Sequence, residues 1–529
     1  MGFWRGFRQP ARYAALLAGA LPVLAFPAAN LEFLGWIGLV PGLAVLRAAP
    51  TRREAGVRGW WFGTGYLLAA MYWLAPNLGP GLLLVCLVLG FLWTAVGVAI
   101  WSFLRPPVTV RGAAAALLVV PSSWLVTEWI RSWQGIGGPW AVFGASQWQH
   151  PVVLALAAVG GVWLITFALV AANTGLLIAF VARSWAARLT GVAAVVITLL
   201  ASPLAFSLTA PPASTQPLTI ALVQPGLAVG PAARLARNEQ LTAAAVGRAQ
   251  LYVWGESSVG YDLSEKPALL AGIERLSRTV GAEILVNQDA LNAAGAKSKQ
   301  ATLIASDGIK GRYVKTRLVP FGEYIPFRPV LGWLSRISKA AAQNVVPGTG
   351  AHVLHAQLPD GRPLTIGVLI CFESAFPDMS RVDANDGARV IIYQTSDSTF
   401  QQSWAPAQHA ALSAVRAAET GRPVVQAALT GDSAAFDDRG RLLFWKDNTR
   451  TGTWPVPLRL PPASYRTPYD QLGEYVPWTA VAIAALALLL GISRIIRTRR
   501  HSTTAVPAPT GAEPTGTQAG QPKRLPRIR

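Results

Sequence analysis

Apolar residues are spread unevenly along this chain, and the unevenness divides it. Residues 11–206 and 476–496 hold long apolar runs almost free of Lys, Asp and Glu, while 217–465 alternates short apolar runs with polar turns. Eight apolar stretches read as spanning helices: 13–26, 31–45, 60–74, 81–104, 113–130, 152–181, 189–206 and 478–496. Most approach the ~20 residues that cross a hydrocarbon core; the first two are short, as tilted helices or a hairpin of half-helices would be. Between 217 and 465 the period changes. Runs at 218–223, 251–254, 283–286, 302–305, 365–370, 390–393, 424–428 and 434–436 predict strands, and 232–248, 266–280 and 406–420 predict helices. Strands alternating with helices, several of them apolar throughout, predict an α/β domain of layered αββα type.

Composition agrees with two kinds of segment in one chain. The 529 residues are 52% hydrophobic and only 14% charged, too apolar for an ordinary soluble protein. The expected organisation is an α-helical polytopic membrane protein of about eight spans: a membrane domain at 1–210, a soluble domain at 217–465, a C-terminal transmembrane helix at 476–497 and a disordered basic cytoplasmic tail at 498–529.

A net charge of +20 invites a nucleic-acid reading, but its distribution argues against one. With the N-terminus cytoplasmic, the inner loops carry Arg5, Arg8 and Arg12; Arg47, Arg52, Arg53 and Arg58; Arg105 and Arg111; Arg183 and Arg188; and Arg494, Arg497, Arg499 and Arg500. The opposite loops carry only Arg131. That asymmetry follows the positive-inside rule, puts both termini in the cytoplasm and puts the soluble domain on the other side. No aromatic-basic nucleic-acid motif is present. The 20 Trp mostly lie near the ends of spans, as an interfacial belt would. Five His and two well-separated Cys make no metal-ligand cluster, so neither a metal nor a cofactor is expected.

Three segments carry candidate chemistry. Cys371 closes the apolar run 364–370 and opens Cys371-Phe372-Glu373-Ser374; Cys86, the other thiol, lies in a stretch read as membrane. A lone thiol at a strand end is often just a small buried hydrophobe, but it is also where a nucleophile would stand. Glu256 follows Tyr252-Val253-Trp254-Gly255, again at a strand's end. Lys315 precedes Leu318-Val319-Pro320-Phe321-Gly322-Glu323-Tyr324. Each alone suits a solvated surface. Gly255-Glu256-Ser257-Ser258-Val259-Gly260 is one residue too long for a serine nucleophile elbow.

Taken in order, Glu256, Tyr313-Val314-Lys315 with the Leu318–Tyr324 segment, and Cys371-Phe372-Glu373 resemble the nitrilase superfamily; with seven spans before and one after, residues 10–496 resemble the bacterial apolipoprotein N-acyltransferases. The resemblance implies a Glu256–Lys315–Cys371 triad on an αββα sandwich. It also implies transfer of an acyl chain from a membrane phospholipid, through a Cys371 thioester, to the N-terminal amine of a diacylglyceryl apolipoprotein in the bacterial inner membrane. A thiolate is the nucleophile, Glu256 the general base, and Lys315 the cation favouring thiolate and stabilising the oxyanion. Glu323 matches a supporting glutamate, Phe372 and Glu373 an expected wall of the acyl pocket, and His409 a histidine expected to pack or support rather than catalyse. Departures from the family fall at Ser396, Thr399, Gln426 and Leu429, and Lys299 replaces a typical Asn, so substrate-contact details are the least transferable part. A monomer is expected, since one chain supplies the whole triad. The rivals are a membrane-bound nitrilase-type amidase, in which water replaces the amine, and a catalytically dead lipid-binding or transport scaffold. For transport, Glu128 is almost the only intramembrane acid available.

Overall fold

The computed structural model describes residues 10–212, 216–291, 295–332 and 345–503; Arg5, Arg8 and the tail beyond 503 lie outside the described residues. The helical half comprises α1 (Pro10–Ala20), α2 (Val40–Arg47), α3 (Arg52–Ala70), α4 (Gly81–Phe103), α5 (Val110–Arg131), α6 (Pro151–Val181) and α7 (Trp185–Leu208). Five described helices are long and apolar enough to cross a membrane: α4 to α7 and the apolar part, Tyr475–Ser493, of the last helix. The first two expected spans are the shorter apolar segments Pro10–Ala25 and Leu34–Arg47. The third is α3, whose first turns carry Arg52, Arg53, Glu54 and Arg58.

Local chemistry sets these boundaries. Thr51 caps α3 by accepting from the Glu54 amide at 3.1 Å, and Glu54 then pairs with Arg12 at 2.6 Å and Arg58 at 3.3 Å, tying α1 to α3. Not every Trp belongs to an interfacial belt. Trp93 and Trp124 are fully buried, 5.5 Å apart edge-to-face, and each lies 5.7 Å from the Tyr66 ring, forming an aromatic core among α3, α4 and α5. The stretch expected as one continuous span at 152–181 is broken. Gly160 (φ −138°) and Gly161 (φ +69°) leave helical geometry, a conformation glycine adopts without a Cβ penalty.

The second half is two facing six-stranded sheets. Its elements are β1 (Gln216–Gln224), α8 (Pro231–Ala243), β2 (Leu251–Trp254), α9 (Pro267–Val280), β3 (Glu283–Leu291), β4 (Lys297–Ala305), β5 (Gly308–Val314), β6 (Val353–Gln357), β7 (Pro363–Ile370), α10 (Pro377–Asn385), β8 (Val390–Thr395), α11 (Ala405–Thr420), β9 (Val424–Ala428), β10 (Ser433–Phe436), β11 (Leu442–Lys446) and β12 (Gly452–Leu460). The short α12 (Pro468–Leu472) leads into α13 (Tyr475–Thr503), which runs into the stretch expected as a disordered tail. Strand order is β12-β1-β2-β3-β4-β5 in one sheet and β11-β10-β9-β8-β7-β6 in the other. Each sheet has three parallel central strands, β1-β2-β3 and β7-β8-β9, flanked by antiparallel ones. Tyr252, Trp254, Ile284 and Val286 pack outward beneath Leu235 of α8 and Ile273 and Val280 of α9, while the alternate residues face the other sheet. α10 and α11 cover the second sheet. This is the expected αββα order of layers.

Candidate active site

Parallel strands place their carboxyl ends on one side of each sheet, where α/β proteins gather functional groups. Glu256 follows β2, Lys315 follows β5 and Cys371 follows β7. The two sheets are stitched there: the Glu256 amide donates to Thr395 O at 3.1 Å and Leu429 N to the same oxygen at 2.9 Å. Gly255 makes this approach possible, because a Cβ on it would lie 2.0 Å from Leu429 N. A polar ladder, Ser257 N to Asn287 Oδ1 (2.9 Å), Asn287 Nδ2 to Gln394 Oε1 (3.2 Å) and Gln394 Nε2 to Trp254 O (2.8 Å), fixes the Glu256 turn from below.

The Lys315 ammonium, completely buried, donates to Glu256 Oε1 at 3.0 Å and to Glu323 Oε1 at 2.8 Å. Glu323 Oε2 accepts from the Val319 amide at 2.8 Å, which locks the loop that carries both residues. Burial alone would lower Lys315, but Glu256 and Glu323 outweigh it and hold the ammonium well above its usual range. Cys371 is partly exposed. Its thiol is nonetheless pushed well above the ordinary value, first by burial and then by Glu256, with Lys315 pulling the other way. Lys315 therefore acts on the thiol in the direction expected of a cation that favours thiolate, while burial and the neighbouring carboxylate oppose it.

Glu373 does not wall an open pocket, as the sequence led us to expect. It is fully buried, with Oε1 accepting from Tyr313 OH (2.8 Å), Thr316 N (2.6 Å) and Arg317 N (2.9 Å), and Oε2 from Ile370 N (2.7 Å). These bonds pin the Lys315 loop to the strand that delivers Cys371. Phe372 stacks edge-to-face on Phe376 at 5.1 Å, and a Cβ on Gly138, in the loop after α5, would lie 2.5 Å from its ring. Beside these residues a cavity of about 540 Å³ is lined by Trp129, Trp133, Trp163, Arg317 and Phe376.

The departures from the family pattern are accommodated in the fold. Lys299 bonds Asp289 Oδ1 at 2.6 Å and also Ser257 Oγ, bracing the turn after Glu256. Gln426 is buried against Asp432 O at 3.0 Å, Leu429 is 2% exposed, Ser396 lies 3.4 Å from Thr430 Oγ1, and Thr399 is exposed. Glu128 is fully buried and accepts from Phe143 N at 2.8 Å and Thr166 Oγ1 at 3.2 Å, a brace within the helical half.

His409 reaches the backbone of Cys371 itself, which its sequence context did not suggest. Its Nδ1 lies 3.0 Å from Asp397 Oδ1 and its Nε2 lies 3.0 Å from the Cys371 carbonyl. Asp397 was not singled out from the sequence. The available signal was its position directly after β8, at the same end of the sandwich as Glu256 and Cys371. Three non-glycine residues of these loops, Ser257 (φ +56°), Phe321 (φ +60°) and Cys371 (φ +54°), are left-handed, and such strain concentrates at functional sites.

Comparison with known proteins matches this geometry to a family. Residues 18–175 match the apolipoprotein N-acyltransferase N-terminal domain, and 219–455 match the carbon-nitrogen hydrolase family. Apolipoprotein N-acyltransferase of Azotobacter vinelandii is 30% identical, the similarity covering 94% of this chain and 97% of that one. The chain belongs to the apolipoprotein N-acyltransferase family. The Chlorobaculum tepidum member is 27% identical, covering 91% of this chain and 96% of that one. Among solved structures, an amidase from Nesterenkonia sp. is 19% identical, covering 47% of this chain and 92% of that one, with a TM-score of 0.34. Family membership and the paired sheets make the second half a nitrilase-like domain, and the apolar helices before it fit a membrane domain.

Proposed function

We propose that Cys371, Glu256 and Lys315 carry out the family's reaction in this chain, N-acylation of apolipoproteins. The observation that carries this reading is the buried Lys315 ammonium held between Glu256 and Glu323, at the end of the sandwich where Cys371 follows β7. Glu256 takes the thiol proton as sulfur attacks an ester carbonyl of a phospholipid, Lys315 stabilises the oxyanion, and the lysophospholipid oxygen leaves with the proton held by Glu256. The free amine of a diacylglyceryl-cysteine then attacks the thioester. Glu256 removes its proton and returns it to the departing thiolate, so the free thiol is regenerated and the N-acylated lipoprotein departs.

The arrangement of helices has a physical rationale in this scheme. Both substrates are anchored by acyl chains, and drawing one chain out of a bilayer costs ~0.8 kcal/mol per CH₂. The Trp-lined cavity of about 540 Å³ beside Phe376 supports an acyl-chain site that avoids this cost. The Arg distribution supports eight spans, with both termini cytoplasmic and the sandwich on the extracytoplasmic face of the inner membrane. A triad supplied by one chain supports a monomer.

The test is intact mass of the purified protein in detergent with phospholipid alone, beside Cys371→Ala. An acyl-sized, hydroxylamine-labile adduct on the wild type only is expected. Free fatty acid without an adduct would establish hydrolysis instead, and neither adduct nor lysophospholipid with several headgroups would sink the acyltransferase reading.

A further inference from the structure

Cys371 holds a left-handed backbone (φ +54°), a conformation that L-residues with a Cβ rarely adopt. Contacts on both sides of the thiol hold it there. Below, the Ile370 amide donates to Glu373 at 2.7 Å; above, the Cys371 carbonyl lies 3.0 Å from His409 Nε2. Both groups facing the imidazole, that carbonyl and the Asp397 carboxylate at 3.0 Å, are acceptors. A neutral imidazole has a single N–H. The arrangement therefore needs two protons, one on Nε2 and one shared between Nδ1 and Asp397, and at 1% exposure water does not stand in for either.

We propose that Asp397 and His409 form a positioning pair that fixes and polarises the Cys371 peptide for acyl transfer, an inference that rests on Cys371 being the nucleophile. An Nε2–H donor on the Cys371 carbonyl draws density through the amide it shares with Phe372. That strengthens the Phe372 N–H as a donor beside the developing oxyanion. His409 does not touch substrate in this account; it acts through the peptide.

The surroundings are shaped for the pair. A Cβ on Gly431 would lie 2.5 Å from Asp397 Oδ2, so only glycine leaves room for the carboxylate, and the Asp397 amide donates to Thr430 O at 2.6 Å. Trp140, from the loop after α5, stacks edge-on to His409 at 5.6 Å and donates to the neighbouring Gln408 at 3.0 Å. Its own carbonyl accepts from Arg131 at 2.6 Å. The helical half thus holds one side of the pair and the sandwich the other. Burial works against a charged His409, but Asp397, the Cys371 carbonyl and Glu256 outweigh it and raise the imidazole above its usual value.

The test compares single-turnover thioester formation from phospholipid in wild type, His409→Ala, His409→Gln and Asp397→Asn, with thermal melting of each. Losing the donor should slow acylation by ~10²-fold with half-saturating phospholipid within ~3-fold. Gln, which carries an N–H donor, should recover about a tenfold share, and Asp397→Asn should be slowed with an unchanged melt. A rate in His409→Ala within ~3-fold of wild type, or a loss that Gln does not recover, would overturn the pair. If His409→Ala fails to fold, the other two variants decide: slowed rates at unchanged saturation support the pair, and wild-type rates in both reject it. Absence of a thioester in the wild type itself would count against the proposed function rather than against the pair alone.

Discussion

The backbone amide of Val162 donates to the Glu419 carboxylate at 2.7 Å, joining the break in α6 to the end of α11. The break at Gly160 and Gly161 starts a new helical segment, whose first amides lack intrahelical acceptors. Glu419, fully buried and with Arg416 Nη1 2.8 Å from its second oxygen, meets one of them. The bond crosses from the membrane-type helices to the catalytic sandwich.

That carboxylate makes stability depend on pH. Burial pushes Glu419 up to about 7 from an ordinary 4.5, against the pull of Arg416 and the Val162 amide. A carboxyl raised in the folded state contributes most below its unfolded value, and that contribution is lost as pH rises through the folded one. We expect the melting temperature in detergent to fall between pH 4.5 and about 7, and to fall about 3 °C less in Glu419→Gln. Equal slopes in the two proteins would reject this origin.

Gly255→Ala should separate the two sheets at the site. Its Cβ would press on the Leu429 backbone at 2.0 Å, and overpacking of this kind costs ~1–3 kcal/mol. Because Glu256 is the next residue and hangs from Thr395 O, we expect thioester formation to drop by ~10²-fold or more. Activity within a few-fold of wild type would show that the Glu256 turn tolerates the shift.

Glu256→Gln should move the Cys371 titration downward. Glu256 follows only burial among the groups raising this thiol, so neutralising it leaves the Lys315 cation less opposed. Thiolate absorbance against pH should show a lower midpoint in Glu256→Gln than in wild type, although thioester formation should fall by ~10²–10⁴-fold with the base gone. An unchanged or higher midpoint would mean that Glu256 does not face the sulfur.

Part of this was legible in the sequence for an identifiable reason. Strands β2 and β9 coincide with the expected 251–254 and 424–428, because central parallel strands are covered on both faces and so read as unbroken apolar runs. The four strands that were not foreseen, β5, β6, β11 and β12, are the four edges of the two sheets. Edges are paired on one side only, and β5, β6 and β12 tolerate Lys310, Arg312 and His355 and even Pro455 and Pro457, which erase the apolar signal there. Glycine likewise hid the break in α6, since hydropathy does not register backbone geometry.

The sequence by itself determined the contrast between apolar helical stretches and a strand-rich stretch, the central strands and the order Glu256, Lys315, Cys371, since hydropathy, periodicity and motif spacing are properties of the chain read along its length. Only the tertiary structure decided that Glu373 is a buried staple, that burial and Glu256 raise the Cys371 thiol against Lys315, and that Asp397 and His409 meet the Cys371 carbonyl. Those outcomes depend on which groups lose water together and on the distances between side chains remote in sequence, and neither is written in the local pattern.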